Sequence, residues 1–195
     1  MQKKISLVII LFFSLINFSC DLFNTRTPET ASGTRSTYSF PDRPSVLISN
    51  FTNAIVEKDA QNYQLSFTDS SYTPRVFQFL PSQGVVTQYP AFLNGWTVKS
   101  EQQYLSNVIS KLGNDRLMLT LTEAKYTLFL PDSANYLANY SIELPTRSGM
   151  SQLKYVGQIN LSLVCDNRSK WVVGTWADYK TGSLPSWSDL KGLSY

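Results

Sequence analysis

Residues 100–129 read SEQQYLSNVISKLGNDRLMLTLTEAKYTLF, and the period of their apolar residues changes part-way along. Tyr104, Leu105, Val108, Ile109 and Leu112 recur at the spacing of one helical face. Ser100 and Gln103 have the spacing of a capping box, and Gly113 is a helix stop. From residue 116 the period falls to two, with Leu117, Leu119 and Leu121 alternating against Met118, Thr120 and Thr122. An amphipathic helix that runs straight into a half-buried strand predicts an α+β domain with the helix laid on a sheet.

Downstream, the strand period persists. After a turn at Pro131-Asp132, Tyr136, Ala138, Tyr140, Ile142 and Leu144 share one side of the next strand. A second hairpin runs over 153–164, turns through Asp166-Asn167-Arg168-Ser169 and returns as WVVGTWADYK, 171–180. Such alternation predicts antiparallel strands with one face toward a core. The turn-rich tail, residues 183–195, is expected to pack Trp187 back onto the body.

Upstream, a helix is expected from Ser45, after Pro41 and Pro44, with Leu47, Ile48, Phe51, Ala54 and Ile55 on one face. Asp59 can cap a second, short helix that places Ala60, Tyr63 and Phe67 on one side. RVFQFLPS, residues 75–82, suits a short strand or an extended arm. The domain is therefore expected over 45–182: three N-terminal helices on a curved, mainly antiparallel sheet of about four to six strands.

The chain begins MQKKISLVIILFFSLINFSC. Lys3 and Lys4 before an apolar run that ends at Ile16 have the form of a secretion signal. The run falls short of the about 20 residues that cross ~30 Å of hydrocarbon. Ser19-Cys20 resembles the lipobox of bacterial lipoproteins, which implies cleavage after residue 19 and a lipid on Cys20. Residues 20–44, rich in Thr, Ser, Pro and charge, read as a disordered tether.

Several chemistries are excluded by composition. There is no histidine, which removes Ser-His-Asp and Cys-His catalysis and the usual zinc ligand sets. Lipidation of Cys20 leaves Cys165 as the one free thiol, among Leu161, Leu163 and Val164, where it reads as a small buried hydrophobe. Without the signal the chain keeps 15 basic residues against 14 acidic ones and has no basic run, so no nucleic-acid partner is expected. No cofactor, metal or catalytic residue is assigned.

The element order resembles the nuclear transport factor 2-like (SnoaL-like, cystatin-type) cone, in which a curved sheet wraps a long helix and leaves a pocket. A lipocalin-like barrel would need more strands than can be read. The segments CDLFNTRTPE, FLNGWTVKSEQQYLSNVIS and WVVGTWADYK…SWSDLKG are similar to those of uncharacterised lipoproteins from Bacteroidetes-type bacteria. The resemblance implies a lipid-anchored protein of the cell envelope, at the outer membrane rather than the inner. Cones resembling ketosteroid isomerase use a carboxylate with a tyrosine, so Glu143, Asp178, Tyr136, Tyr140 and Tyr179 are the residues to weigh for an enzyme. Alternation puts Glu143 on the side opposite Tyr136 and Tyr140, and no carboxylate stands clearly on the aromatic face. The expectation is a non-catalytic module whose interior, lined in part by Tyr104, Tyr136, Tyr140 and Trp176, takes a small apolar ligand, or which engages an envelope protein; a structural role in envelope assembly is the further alternative.

Overall fold

A computed structural model describes residues 37–145 and 153–195. The signal segment, Cys20 and most of the expected tether lie outside the described residues. Helices α1 (Pro44–Val56) and α2 (Ala60–Gln64) come first, then strand β1 (Gln78–Leu80) and a short helix α3 (Val85–Gln88). A 3-10 turn at Pro90–Phe92 leads to helix α4 (Val98–Leu112). Strands β2 (Met118–Phe129), β3 (Ser133–Leu144), β4 (Leu153–Cys165) and β5 (Trp171–Tyr179) follow, and helix α5 (Trp187–Ser194) comes last.

One five-stranded sheet has the order β1-β5-β4-β3-β2. The four long strands are antiparallel in chain order, as the alternation predicts. β1 pairs with β5 in parallel, Phe79 opposite Trp176, which the sequence did not indicate. On β3, Ala134, Tyr136, Ala138, Tyr140 and Ile142 are buried while their odd-numbered neighbours are only half-buried. On β4 the buried set is Tyr155, Gly157, Ile159, Leu161 and Leu163, joined by Val164 near the strand end. The inner face carries the core against Leu47, Phe51, Ala54 and Ile55 of α1 and Tyr104, Leu105, Val108 and Leu112 of α4.

Local chemistry sets the element ends, in one place differently from expectation. Asp59 caps α2 as expected, accepting from the amides of Gln61 and Asn62 at 3.0 and 2.9 Å. The cap of α4 is Thr97 rather than Ser100: Thr97 Oγ1 accepts from Ser100 N, and Ser100 Oγ accepts from Thr97 N, both at 3.2 Å. A cap one turn earlier brings Glu101 into the first turn and onto the buried stripe, while Ile109 is only half-buried. β2 is an outer strand of the sheet, and its pairing with β3 is broken between Thr122 and Lys125, where Glu123 has φ 52°.

Residues 37–43, expected as tether, are bonded to the domain. Asn50 of α1, 4 % exposed, donates to Ser39 O at 2.6 Å and accepts from Ser39 N at 3.1 Å. Thr37 donates through its amide and its hydroxyl to Glu57, and Pro41 O accepts from Trp171 N at 2.9 Å. A chain that starts at Pro41 should therefore melt below one that starts at Thr37. Stranding the buried Asn50 amide costs about 1–3 kcal/mol. Equal denaturant midpoints for the two would show that these bonds contribute nothing.

Candidate functional site

The inner faces of β3, β5 and α4 converge where the resemblance leads one to look for a pocket, and α5 enters that space. Trp187, fully buried, packs edge-on against Trp176 with ring centroids 4.7 Å apart and against Tyr140 at 5.1 Å. Its indole Nε1 donates to Tyr104 Oη at 2.8 Å, and its backbone N donates to Tyr140 Oη at 2.6 Å. Three of the four expected lining residues, Tyr104, Tyr140 and Trp176, thus meet around one side chain from the tail. Tyr136 lies apart, buried, with its ring 5.4 Å from that of Tyr126 on β2.

Asp178 does stand on the aromatic face, two residues after Trp176, which corrects the expectation that no carboxylate does. It is 1 % exposed. Oδ1 accepts from Tyr140 Oη at 2.7 Å, and Oδ2 accepts from Ser188 N at 2.7 Å and from Ser188 Oγ at 2.5 Å. Burial first, and then the Asp178 charge, hold the Tyr140 phenol well above its ordinary range. A phenol so held donates a hydrogen bond and keeps its proton. Glu143 points outward to Lys154 at 2.8 Å, as the alternation requires, and Tyr179 is exposed.

A second buried cluster lies alongside, and sequence reading missed it. Lys191 of α5 is ion-paired with Glu101 of α4, each side chain fully buried. Trp96 Nε1 also donates to Glu101 Oε1, at 2.8 Å, and Tyr63 Oη donates to Oε2 at 2.7 Å. The ammonium sits 3.4 Å from the Trp176 ring centroid and 3.6 Å from that of Phe79. Burial lowers the Lys191 amine to about 8 against the opposing pull of Glu101. A signal existed: Glu101 shares the helical stripe of Tyr104, Leu105 and Val108, where a carboxylate asks for a partner.

Two glycines show how tightly this region is filled. A Cβ at Gly157 on β4 would run into the Tyr140 hydroxyl, and one at Gly192 on α5 would run into the Tyr89 ring. Gly174 falls where the β4–β5 register slips between Ser162 and Leu163. An added Cβ there would make ordinary contacts with Val164 and Ser162 O, which favours curvature. Trp176 Nε1 is buried with no hydrogen-bond partner among the described residues.

No family model matches the chain, and no curated protein matches it. Solved structures do. A candidate aromatic ring hydroxylase from Novosphingobium aromaticivorans superposes with a TM-score of 0.54 at 14 % identity, over 75 % of this chain and 92 % of its own. A candidate dehydratase of the nuclear transport factor 2-like family from Streptomyces avermitilis gives 0.50 at 9 % identity, over 71 % and 94 %. The fold is nuclear transport factor 2-like. A candidate calcium/calmodulin-dependent protein kinase II association domain from Xanthomonas campestris gives 0.51 at 10 % identity, over 77 % and 99 %. Names as different as these on one nuclear transport factor 2-like scaffold leave function to the site itself.

Proposed function

We infer that this chain is a non-catalytic binding module, anchored in the cell envelope through lipidated Cys20, and that it binds at its outer surface while the interior of its nuclear transport factor 2-like cone serves as core. The observation that carries this reading is the insertion of Trp187 and Lys191 of α5 among Tyr104, Tyr140 and Trp176. Every oxygen of the Asp178–Tyr140 pair is engaged by a neighbour within the protein. A general base needs its reacting proton within hydrogen-bond reach, and here that reach is taken up by Ser188 and by the Trp187 amide. The anchor and the likeness to Bacteroidetes-type lipoproteins rest on the sequence.

The ketosteroid-isomerase-like or dehydratase-like alternative is favoured by one feature, the Tyr140 hydroxyl set against a buried carboxylate. Two measurements on the full chain test the proposal. Cys20→Ser should shift the protein from the membrane fraction to the soluble one, or leave it unprocessed; partitioning and migration like wild type would defeat the anchor. Turnover of a ketosteroid or hydroxyacyl substrate that Asp178→Asn abolishes would defeat the non-catalytic reading.

A further inference from the structure

Away from the cone interior, a groove of about 550 Å³ runs between the segment after α2, the approach to β1, the N-terminus of α4 and the β4–β5 turn. Its charge is lopsided. Arg75, Lys99, Arg168 and Lys170 line it with a single carboxylate, Asp69. Arg168 is already engaged: it is paired with Asp166 at 2.6 Å and stacked 3.5 Å over the Tyr72 ring. Asp69 accepts from Ser71 N at 2.9 Å. Arg75 and Lys99 are exposed and in no ion pair among the described residues.

Lys170 is the unusual member. It is 5 % exposed, yet among the described residues its ammonium meets only the Leu65 carbonyl at 2.8 Å and the distant face of Tyr38, and none of their carboxylates is in ion-pair range. A buried charge without a partner is costly. Thr68, also lining the groove and 6 % exposed, has a hydroxyl that no described group meets. Thr97, Val98 and Lys99 bring in the N-terminus of α4, whose first amides have no acceptor within the helix. Beside these donors, Leu65 and Val76 offer exposed apolar surface over the buried Phe67 and Phe77.

We propose that this groove binds a phosphate monoester carried on an apolar body, with the phosphate between Lys170, Lys99, Arg75 and the α4 N-terminus and the apolar part on Leu65 and Val76. Arg168 and Asp166 cancel, so Arg75, Lys99 and Lys170 against Asp69 leave two positive charges, which match a doubly ionised phosphate better than a carboxylate. The shared chemistry has two sources, a soluble phosphate ester and a lipid headgroup at the bilayer. The desolvation that lowers the Lys170 amine, with help from Arg168, is what a bound anion would offset.

The test titrates hexyl phosphate, inorganic phosphate and hexanol into the full-length protein by calorimetry, with vesicles of phosphatidic acid or phosphatidylcholine as a further arm. Hexyl phosphate should bind at least about tenfold tighter than either fragment, and added salt should weaken it. Arg75→Gln with Lys99→Gln should weaken it by about tenfold or more with an unchanged melting temperature, since neither side chain is in an ion pair among the described residues. Thr68→Val should also weaken it while leaving the melting temperature unchanged or raised, a split that a purely structural hydroxyl would not give. Phosphatidic acid vesicles that bind wild type and not the double variant would assign the lipid headgroup; binding of hexyl phosphate alone would assign the soluble ester. Absence of hexyl phosphate binding, or binding indifferent to all three substitutions, overturns the proposal. It rests on the outer-surface reading, and the two failures separate: hexyl phosphate insensitive to the groove variants but lost in Tyr140→Phe would place the ligand in the cone and overturn both.

Discussion

Trp187→Ala is expected to destabilise the domain by about 3–5 kcal/mol, at the upper end of core truncations. Trp187 is fully buried, and its ring packs on Trp176, Tyr140 and, at 6.1 Å, Phe51. Its loss also removes the indole proton that the Tyr104 hydroxyl accepts at 2.8 Å. The hole left behind is apolar with one hydrogen-bond acceptor, the complement of indole itself. Added indole should therefore raise the melting temperature of Trp187→Ala and leave that of wild type unchanged. A loss below about 1 kcal/mol in chemical denaturation would show that α5 merely rests on the surface, and the reading of the cone interior as core would go with it.

Lys191→Met should cost a comparable amount, about 3–5 kcal/mol near neutral pH, because it leaves Glu101 charged and buried with only the donors Tyr63 and Trp96. The double change Lys191→Met with Glu101→Gln should recover more than half of that loss, since an unpaired buried charge costs more than a missing pair. Urea midpoints of wild type, both single variants and the double variant complete the cycle. The pH dependence gives a second readout. The amine loses its proton near pH 8 in the folded state, and the ordinary lysine value is 10.5. Between those values the unfolded chain binds more protons, so this group makes stability rise with pH across that window, and the contribution is lost as pH falls through 8. Lys191→Met should lack that rise. A single variant no less stable than the double one would mean that Glu101 is relieved by some other route.

Much of this architecture is legible in the chain because period and burial coincide. Tyr136, Ala138, Tyr140 and Ile142 alternate in the sequence and are buried on one face of β3; Leu47, Phe51, Ala54 and Ile55 follow the helical period and are buried together in α1. The parallel pairing of β1 was not legible, because three residues of strand carry no information about a partner almost a hundred positions away. The two polar clusters stayed hidden for a related reason. Glu101 and Lys191 look like solvated helix residues until α4 and α5 are brought together, and alternation does not single out Asp178, although it lies two positions from Trp176, on the same face. Composition reads Thr37 and Ser39 as tether, because it registers apolar content and is blind to the bonds of Thr37 with Glu57 and of Ser39 with Asn50.

The break in β2 at Glu123 bears on how copies of the molecule treat one another. Straight and regular, this twelve-residue outer strand, with Met118, Leu128 and Phe129 exposed, would be a template on which further chains could add, strand upon strand, toward an aggregate. Two irregularities, after Thr122 and after Tyr126, divide its pairing into short runs, and the first sets Glu123 and Lys125 at the division, with the Glu123 carboxylate accepting from Asn139 at 2.7 Å. The formal net charge of the whole chain is only +3, so long-range repulsion between molecules is weak. Keeping copies apart at high concentration falls instead to the shape of this one strand, and a change that straightened it would show first as turbidity, before any loss of fold.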